Sequence, residues 1–178
     1  MGSSSCNPWF SMWIHPRRTI RQIVDTNQSR HVLLLAATAG IGKVLDKAAT
    51  KSTGDHMSLG AILLLAVIVG PIGGVLWLYI GGALLRWTGR WIGGRAEQRE
   101  IRSAIAWASV LAIWAMILWV PQLLLFGSEM FTTETPGIDA STTLTALFWL
   151  IAAVEVILGM WTIVVFLQCL GEVQGFSA

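Results

Sequence analysis

The feature that most constrains this chain is a set of long apolar blocks from which charge is almost excluded. Residues 57–85 contain no Asp, Glu, Lys or Arg, and only 12% of the whole sequence is charged. A soluble domain carries roughly 25% charged residues, whereas a helix that crosses a bilayer needs about 20 mostly apolar residues in succession. The sequence therefore predicts an all-α, multi-pass transmembrane helical bundle.

The apolar blocks predict four spans, at about 31–50, 57–91, 101–126 and 143–170. The uncharged part of the first block is short, so Lys43, Asp46 and Lys47 are expected near or inside the membrane boundary. A lysine can extend its ammonium group outward, and Asp46 can pair with Lys43, three residues earlier on the helix. We therefore predict that Lys43 and Asp46 are polar groups within the membrane.

Gly70 and Pro71 interrupt the second block and predict a hinge there. The block can form one long helix kinked at Pro71, or two shorter helices that meet at this point. Charge favours one helix, because residues 1–30 and 86–102 then share the cytoplasmic side and hold nine of the twelve basic residues. Two full spans would move the five arginines of 86–102 outside.

The loop at 127–142 falls on the outer side in this topology. It contains Glu129, Glu134 and Asp139 but no Lys or Arg, as the positive-inside rule requires of an external loop. The lysines at 43, 47 and 51 do not fit the rule. The N-terminus is accordingly predicted to be cytoplasmic.

Residues 1–30 are predicted to form an N-terminal cytoplasmic or interfacial segment, and 31–178 the transmembrane domain. Pro16 suits the first position of a short helix whose apolar face carries Ile20, Ile23 and Val24. A basic face beside aromatic residues is typical of a helix in the lipid headgroup layer; the alternative is a solvated helix that packs on the bundle. The predicted lipid or partner contacts are Trp9, Trp13, Arg17, Arg18, Arg21, Arg86, Arg90 and Arg95.

Glycines recur along the second block and beyond it, at positions where another backbone could approach closely. Pairs spaced four residues apart are typical of tightly packed membrane helices. Two interpretations stay open: packing within one chain, and a seam between copies of the chain. The predicted packing residues are Gly70, Gly74, Gly81, Gly89 and Gly93.

Glu155 lies near the middle of the fourth block, where a carboxylate is unfavourable in lipid and should face protein or water. It could be a proton or cation site, or it could form a hydrogen bond to another helix. Its candidate partners are Thr162, Gln122, Tyr79 and backbone groups freed by Pro71. The sequence contains no HExxH, GxSxG or phosphate-binding loop. We therefore predict no catalytic residue, no metal site and no cofactor.

Four stretches, taken together, resemble a bacterial member of the Yip1 family. The resemblance implies a five-span fold with a cytoplasmic N-terminus, of which four spans are visible in this sequence, and it implies no enzymatic activity. Eukaryotic relatives act in vesicle trafficking and bind Rab-type GTPases, but Val67 stands where that branch tends to carry an acidic residue. The stretches are NPWFSMWIHPRRTIRQIVDTN (7–27), VGPIGGVLWLYIGGALLRWTGRWIGG (69–94), LFGSEMFTTETPGID (125–139) and FLQCLGEVQGFSA (166–178).

These features predict a non-enzymatic scaffold or accessory subunit of the bacterial inner membrane. Its expected partners are anionic lipid headgroups at the basic face and other integral membrane proteins, or further copies of itself. Nucleic acid is not an expected partner, and no small-molecule substrate is assigned. The alternative is a small oligomeric transporter or an ion or proton pathway that uses Glu155 and the Gly70–Pro71 helix break, since broken helices beside buried carboxylates form such sites.

Overall fold

The computed structural model describes residues 7–27 and 31–176 as helices and short 3-10 turns joined by loops, with no β-strand in these ranges. Residues 1–6 and 28–30, part of the predicted N-terminal segment, lie outside the described residues, as do 177–178. The all-α prediction is confirmed. The helices are α1 (Pro8–Ile14), α2 (Pro16–Asn27), α3 (Val32–Thr50), α4 (Leu59–Trp91), α5 (Gln98–Ala108), α6 (Val110–Ala115), α7 (Trp119–Phe126), α8 (Pro136–Asp139) and α9 (Thr142–Gln174).

Three helical stretches in the described part of the chain are long and apolar enough to cross a membrane: Leu59–Trp91, Gln98–Phe131 and Thr142–Gln174. They correspond to the second, third and fourth predicted spans. The first predicted span corresponds to α3, which has 19 residues and is not among the three. It carries three charged residues near its C-terminal end, and it packs mainly against α4.

Small residues allow α3 and α4 to pack with their backbones in direct contact. A methyl group added at Gly74 would meet the carbonyl group of Ala36, and one added at Gly40 would meet the carbonyl group of Gly70. The partners run in opposite order along the two helices, so α3 and α4 are antiparallel. Gly70 and Gly74 therefore pack within one chain, as small residues do where membrane helices approach closely.

α4 is one continuous helix from Leu59 to Trp91, with Pro71 inside it. The structure thus shows one long helix, which is the first of the two alternatives for this block. A helix of 33 residues is roughly 50 Å long, which exceeds the ~30 Å apolar core of a bilayer. Its last turns, which carry Arg86 and Arg90, therefore extend beyond that core.

The third predicted span is divided in the structure. α5 and α6 meet at Ser109, whose hydroxyl group donates a hydrogen bond to the Ile105 carbonyl at 2.9 Å. A 3-10 turn, Met116–Leu118, separates α6 from α7, and a second, Gly127–Phe131, follows α7. The apolar helical stretch in the structure is Gln98–Phe131, which is longer than the predicted span 101–126. Hydropathy marks the apolar stretch but does not reveal where backbone hydrogen bonding changes.

Hydrogen bonds join the loops at one end of the bundle. The Asp55 carboxylate accepts hydrogen bonds from the backbone N–H of Thr133 at 3.0 Å and from its hydroxyl group at 2.6 Å. The Glu129 carboxylate accepts from the backbone N–H groups of Gly137 and Ile138, both at 2.9 Å. These contacts hold the loop after α3 against the loop before α9.

A second set of contacts defines the opposite end. Arg21 of α2 forms an ion pair with Glu172 of α9 at 2.7 Å. The backbone N–H of Arg95 donates to the Gln174 carbonyl at 3.2 Å, and the Gln174 side chain donates to the Leu85 carbonyl at 3.3 Å. Thus α2, the loop after α4 and the end of α9 lie together, which is the arrangement that four alternating crossings require.

The apolar face of α2 packs into the bundle. Ile20, Ile23 and Val24 are buried in the core that α5 and α9 complete. This corrects the expectation of a helix whose apolar face lies in the headgroup layer and matches the alternative. Periodicity identifies the apolar face of a helix but not what covers it. The segment before it is α1, and Asn7 caps this helix by accepting a hydrogen bond from the Trp9 backbone N–H.

Alanine at Gly74 is expected to lower the unfolding temperature of the protein in mild detergent. The added methyl group has no room between the two backbones, and overpacking of this kind destabilises by about 1–3 kcal/mol. Thermal unfolding followed by tryptophan fluorescence measures the change. Gly73→Ala is the matched control, because nothing lies within 4 Å of a methyl group added there and alanine is the better helix former. Equal unfolding temperatures for the two variants would contradict the α3–α4 contact.

The hydrogen bonds from Thr133 hold the pKa of the Asp55 carboxyl below its ordinary value of 3.8. A carboxyl whose folded pKa is lowered stabilises the fold above its unfolded pKa, and this stabilisation is lost as pH falls through the folded value. We therefore expect hydrogen-exchange protection of the Thr133 amide to fall on acidification below about pH 4 in the native protein. Asp55→Asn should lack this step, whereas Glu134→Gln in the same loop should keep it. An unchanged pH profile in Asp55→Asn would count against the assignment.

Candidate intramembrane site

Lys43 and Asp46 lie three residues apart on α3, and each contacts a tryptophan of another helix. The Lys43 ammonium lies over the Trp77 ring of α4, 4.9 Å from its centroid, which is a cation–π contact. The Asp46 carboxylate lies close to the Trp119 indole of α7, and both residues line the same cavity. Each of the two charged groups thus has an aromatic side chain from another helix beside it.

The expected ion pair between Lys43 and Asp46 is not formed. The two charges attract each other, but the direct ion pair found in the described part of the chain is Arg21–Glu172. The Lys43 ammonium lies over the Trp77 ring instead. Both side chains remain exposed in the isolated chain.

Glu155 is half-buried and accepts a hydrogen bond from the Gln122 side-chain nitrogen at 2.7 Å. Gln122 is therefore the partner that the structure supplies among the four considered. Thr162 instead donates to the Leu158 carbonyl of its own helix, and Tyr79 lies under the Arg102 guanidinium at 4.1 Å. Gln122 itself is only 2% exposed, and its side-chain oxygen is buried without a hydrogen-bond partner.

A cavity of about 650 Å³ brings Lys43, Asp46 and Glu155 to one space. Its walls come from α3, α4, α5, α6, α7 and α9, and it is open over part of its surface. The hydroxyl-bearing Ser109 and Thr162 are the other polar residues in the wall. Most of the remaining lining is apolar, and it includes Ala39, Met116, Val156, Ile163 and Phe166.

The charges of the cavity suit a ligand that carries positive charge, or both signs. One ammonium group and two carboxyl groups face a space with largely apolar walls, and interactions between charges are stronger in such surroundings than in water. No three His, Cys, Asp or Glu side chains of the described residues are grouped to hold a metal ion. The arrangement can thus hold a cation or a zwitterion by charge and hydrogen bonding.

The Gly70–Pro71 break is not part of this cavity. Gly70 packs against Gly40 and Ile41 of α3, and Pro71 is absent from the cavity wall. The sequence predicts one pathway that contains both the break and Glu155. The structure separates them, because Gly70 itself is covered by the α3 backbone at Gly40 and Ile41.

The predicted glycine stripe is divided among several environments. The atoms nearest to a methyl group added at Gly81 belong to the Trp77 ring of the same helix, while Gly89 lies against the Gln174 side chain. Gly93 lies beyond the end of α4 with φ +87°, and nothing lies within 4 Å of a methyl group added there. It is a turn glycine rather than a helix-packing residue, since a positive φ favours glycine. The four-residue spacing from Gly89 to Gly93 continues in the sequence past Trp91, where α4 ends.

The predicted basic residues lie at the end of the bundle that holds α2 and the loop after α4. Arg18, Arg90 and Arg95 are exposed and Arg17 is half-buried. Arg21 is held by Glu172, and Arg86 donates to the Gln98 side chain at 3.3 Å. The exposed members of the set are the ones that are free to meet lipid headgroups.

Trp9 and Trp13, which the sequence predicts as lipid or partner contacts, contact residues of the bundle. The Trp9 ring meets the edge of the Trp107 ring, with centroids 6.1 Å apart. The Trp13 carbonyl accepts a hydrogen bond from the Trp161 indole at 3.2 Å. Both residues therefore help to attach α1 to the bundle.

Sequence reasoning did not assign Trp77 and Trp119 to the site. One signal was available for Trp77, which lies seven residues after Gly70 and hence on the same helix face, the face that approaches α3. No comparable signal existed for Trp119, because the position of α7 depends on the turn at Met116–Leu118.

A bundle of long apolar helices with a polar cavity among them defines a multi-pass integral membrane protein. The Yip1 domain family matches residues 10–178, which is nearly the whole chain. The protein therefore belongs to the Yip1 domain family, and the resemblance seen in the sequence is confirmed. Searches of curated proteins and of solved structures find no significant match.

Proposed function

We propose that this Yip1-family protein is non-enzymatic and binds a charged or polar ligand in its intramembrane cavity. The observation that supports the proposal is the convergence of Lys43, Asp46 and Glu155 on one cavity. The proposal takes up the transporter or ion-pathway alternative of the sequence analysis, without the Gly70–Pro71 break. Transport would require that the ligand leave on the other side, as in a small oligomeric carrier.

Charged groups at membrane depth are unfavourable unless they are paired or solvated. A purely structural role would be expected to bring Lys43 and Asp46 into direct contact, since a close pair offsets part of the desolvation penalty. Here the ammonium contacts an aromatic face and the carboxylates point to a common space. This arrangement leaves charge available to a ligand.

The size of the cavity also suits a ligand. Sites for small molecules are typically about 300–1,000 Å³, with mostly apolar walls and a few polar groups that fix orientation. The cavity volume of about 650 Å³ falls within this range. Its three charged groups come from α3 and α9, two helices that are far apart in the sequence.

The protein extracted in mild detergent is expected to retain a bound small molecule that native mass spectrometry can detect. Glu155→Gln and Asp46→Asn should reduce the bound fraction roughly tenfold, as expected for the loss of one charge-assisted hydrogen bond. Glu134→Gln, an equally conservative change at an exposed outer-loop residue, should leave it unchanged.

A proton or small cation would escape the mass measurement, so flux in proteoliposomes is the second readout. If the pathway uses Glu155, uptake of protons or of the cation should fall in Glu155→Gln but not in Glu134→Gln. If neither the bound molecule nor any flux depends on Glu155 or Asp46, the cavity proposal fails.

A second candidate function is the scaffold or accessory role. The observation that favours it is the exposure of α9, where Trp149, Leu150 and Ile157 are each more than 60% exposed. Lipid or another membrane protein must cover such a surface. We propose that a partner protein, or a second copy of the chain, covers part of it.

Native mass spectrometry of the protein from its own membranes tests the scaffold role. We expect a stoichiometric second protein or a homo-oligomer that is lost in the double variant Trp149→Ala, Ile157→Ala. The matched control is Val67→Ala, Ile72→Ala on α4, whose side chains are 60% and 58% exposed. A monomer in the native protein would exclude this role.

We also propose that the protein resides in the bacterial inner membrane with its N-terminus in the cytoplasm. The grouping of the basic residues at one end of the bundle supports this orientation. In a Cys6→Ser background, a cysteine at Ser128 should react with an impermeant maleimide in intact cells. A cysteine at Glu97 should react only after permeabilisation. The reverse pattern would invert the proposed orientation.

A further inference from the structure

We propose that the cavity binds the headgroup of an ethanolamine phospholipid, with its ammonium near Asp46 and Glu155 and its phosphate near Lys43. The inference rests on the proposed function and names the class of its ligand. It follows from the charge pattern and from the depth and walls of the cavity.

The charge pattern matches a group of mixed sign. Asp46 and Glu155 are acceptors when ionised, and Lys43 supplies an ammonium that can bind a phosphate as a point charge. Lys43 and Asp46 are three residues apart on one helix, so their side chains lie about 5–6 Å apart at Cβ. The ammonium and phosphate of an ethanolamine headgroup are joined by a two-carbon link, so both can lie in one cavity that is lined by charges of both signs.

The two carboxylates favour a ligand that donates hydrogen bonds. Glu155 accepts one hydrogen bond, from the Gln122 side-chain nitrogen at 2.7 Å, and each ionised carboxylate has further acceptor positions. A primary ammonium carries three N–H donors and can therefore serve both carboxylates, whereas a quaternary choline group carries none.

The position of the cavity favours a lipid over a soluble zwitterion. Asp46 lies four residues before the end of α3 at Thr50, roughly 6 Å along the helix axis, a depth that a headgroup can reach from the interface. The cavity is open over part of its surface, and Val156, Ile163 and Phe166 in its wall are apolar. α9 packs mainly on α2, α5, α6 and α8, so it leaves a gap toward α3 through which an acyl chain could pass.

The test reconstitutes the full protein in vesicles of equal parts phosphatidylethanolamine, phosphatidylglycerol and phosphatidylcholine, followed by native mass spectrometry of retained lipids. The wild-type protein should retain phosphatidylethanolamine roughly tenfold above its share, the factor expected from one charge-assisted hydrogen bond. Asp46→Asn and Glu155→Gln should abolish this preference. Lys43→Gln should weaken retention of phosphatidylethanolamine, whereas Lys51→Gln and Glu134→Gln should not.

A second measurement guards against variants that fail to fold. The unfolding temperature of the wild-type protein should rise with added phosphatidylethanolamine and stay constant with phosphatidylcholine. Soluble glycerophosphoethanolamine should raise it less than the lipid does; an equal rise would place the affinity in a soluble zwitterion and overturn the lipid assignment.

Retained lipid in the proportions of the vesicle would also overturn the inference, as would a preference for phosphatidylglycerol. If Glu155→Gln instead reduces the bound fraction of another small molecule, the proposed function survives and only the lipid class fails. If no ligand of any kind depends on Asp46 or Glu155, both proposals fail together.

Discussion

The close contact between the backbones of α3 and α4 is the constraint on which the rest of the structure depends. Glycine at 40, 70 and 74 removes the side chains that would hold the helices apart. With little hydrophobic driving force between helices in lipid, van der Waals contact at short range is a main source of their association. This contact fixes the rotation of α3 and hence the direction in which Lys43 and Asp46 project.

The same contact explains how a helix with three charged residues near its end can belong to the bundle. α3 does not carry a long enough uncharged stretch to stand alone in lipid. Beside α4 it gains the Trp77 face for Lys43, and beside α7 it gains the Trp119 indole for Asp46. The polar groups are thereby turned toward a protein-lined space, where charged side chains of membrane proteins are found.

α9 is attached to the bundle mainly at the end that holds α2. Arg21 pairs with Glu172, the Trp161 indole donates to the Trp13 carbonyl, and Gln174 bonds to the Leu85 carbonyl. Nearer the other end, the hydrogen bond from Gln122 to Glu155 is the polar contact that reaches α9 from α7. The cavity lies between these attachments, so the pattern of contacts along α9 creates the space.

The sequence by itself determined the class of fold, the approximate spans and the family. Its charge distribution also predicted that one helix continues through Pro71. These features depend on hydropathy, charge and local spacing, which are properties of contiguous residues. It also singled out Lys43, Asp46 and Glu155, since a charged residue in an apolar block stands out without knowledge of its neighbours. Only the tertiary structure decided that these three residues share a cavity, that Pro71 lies outside it, and that α2 packs on the bundle. Those facts depend on the rotation and tilt of helices about one another, which are set by packing between residues far apart in the chain.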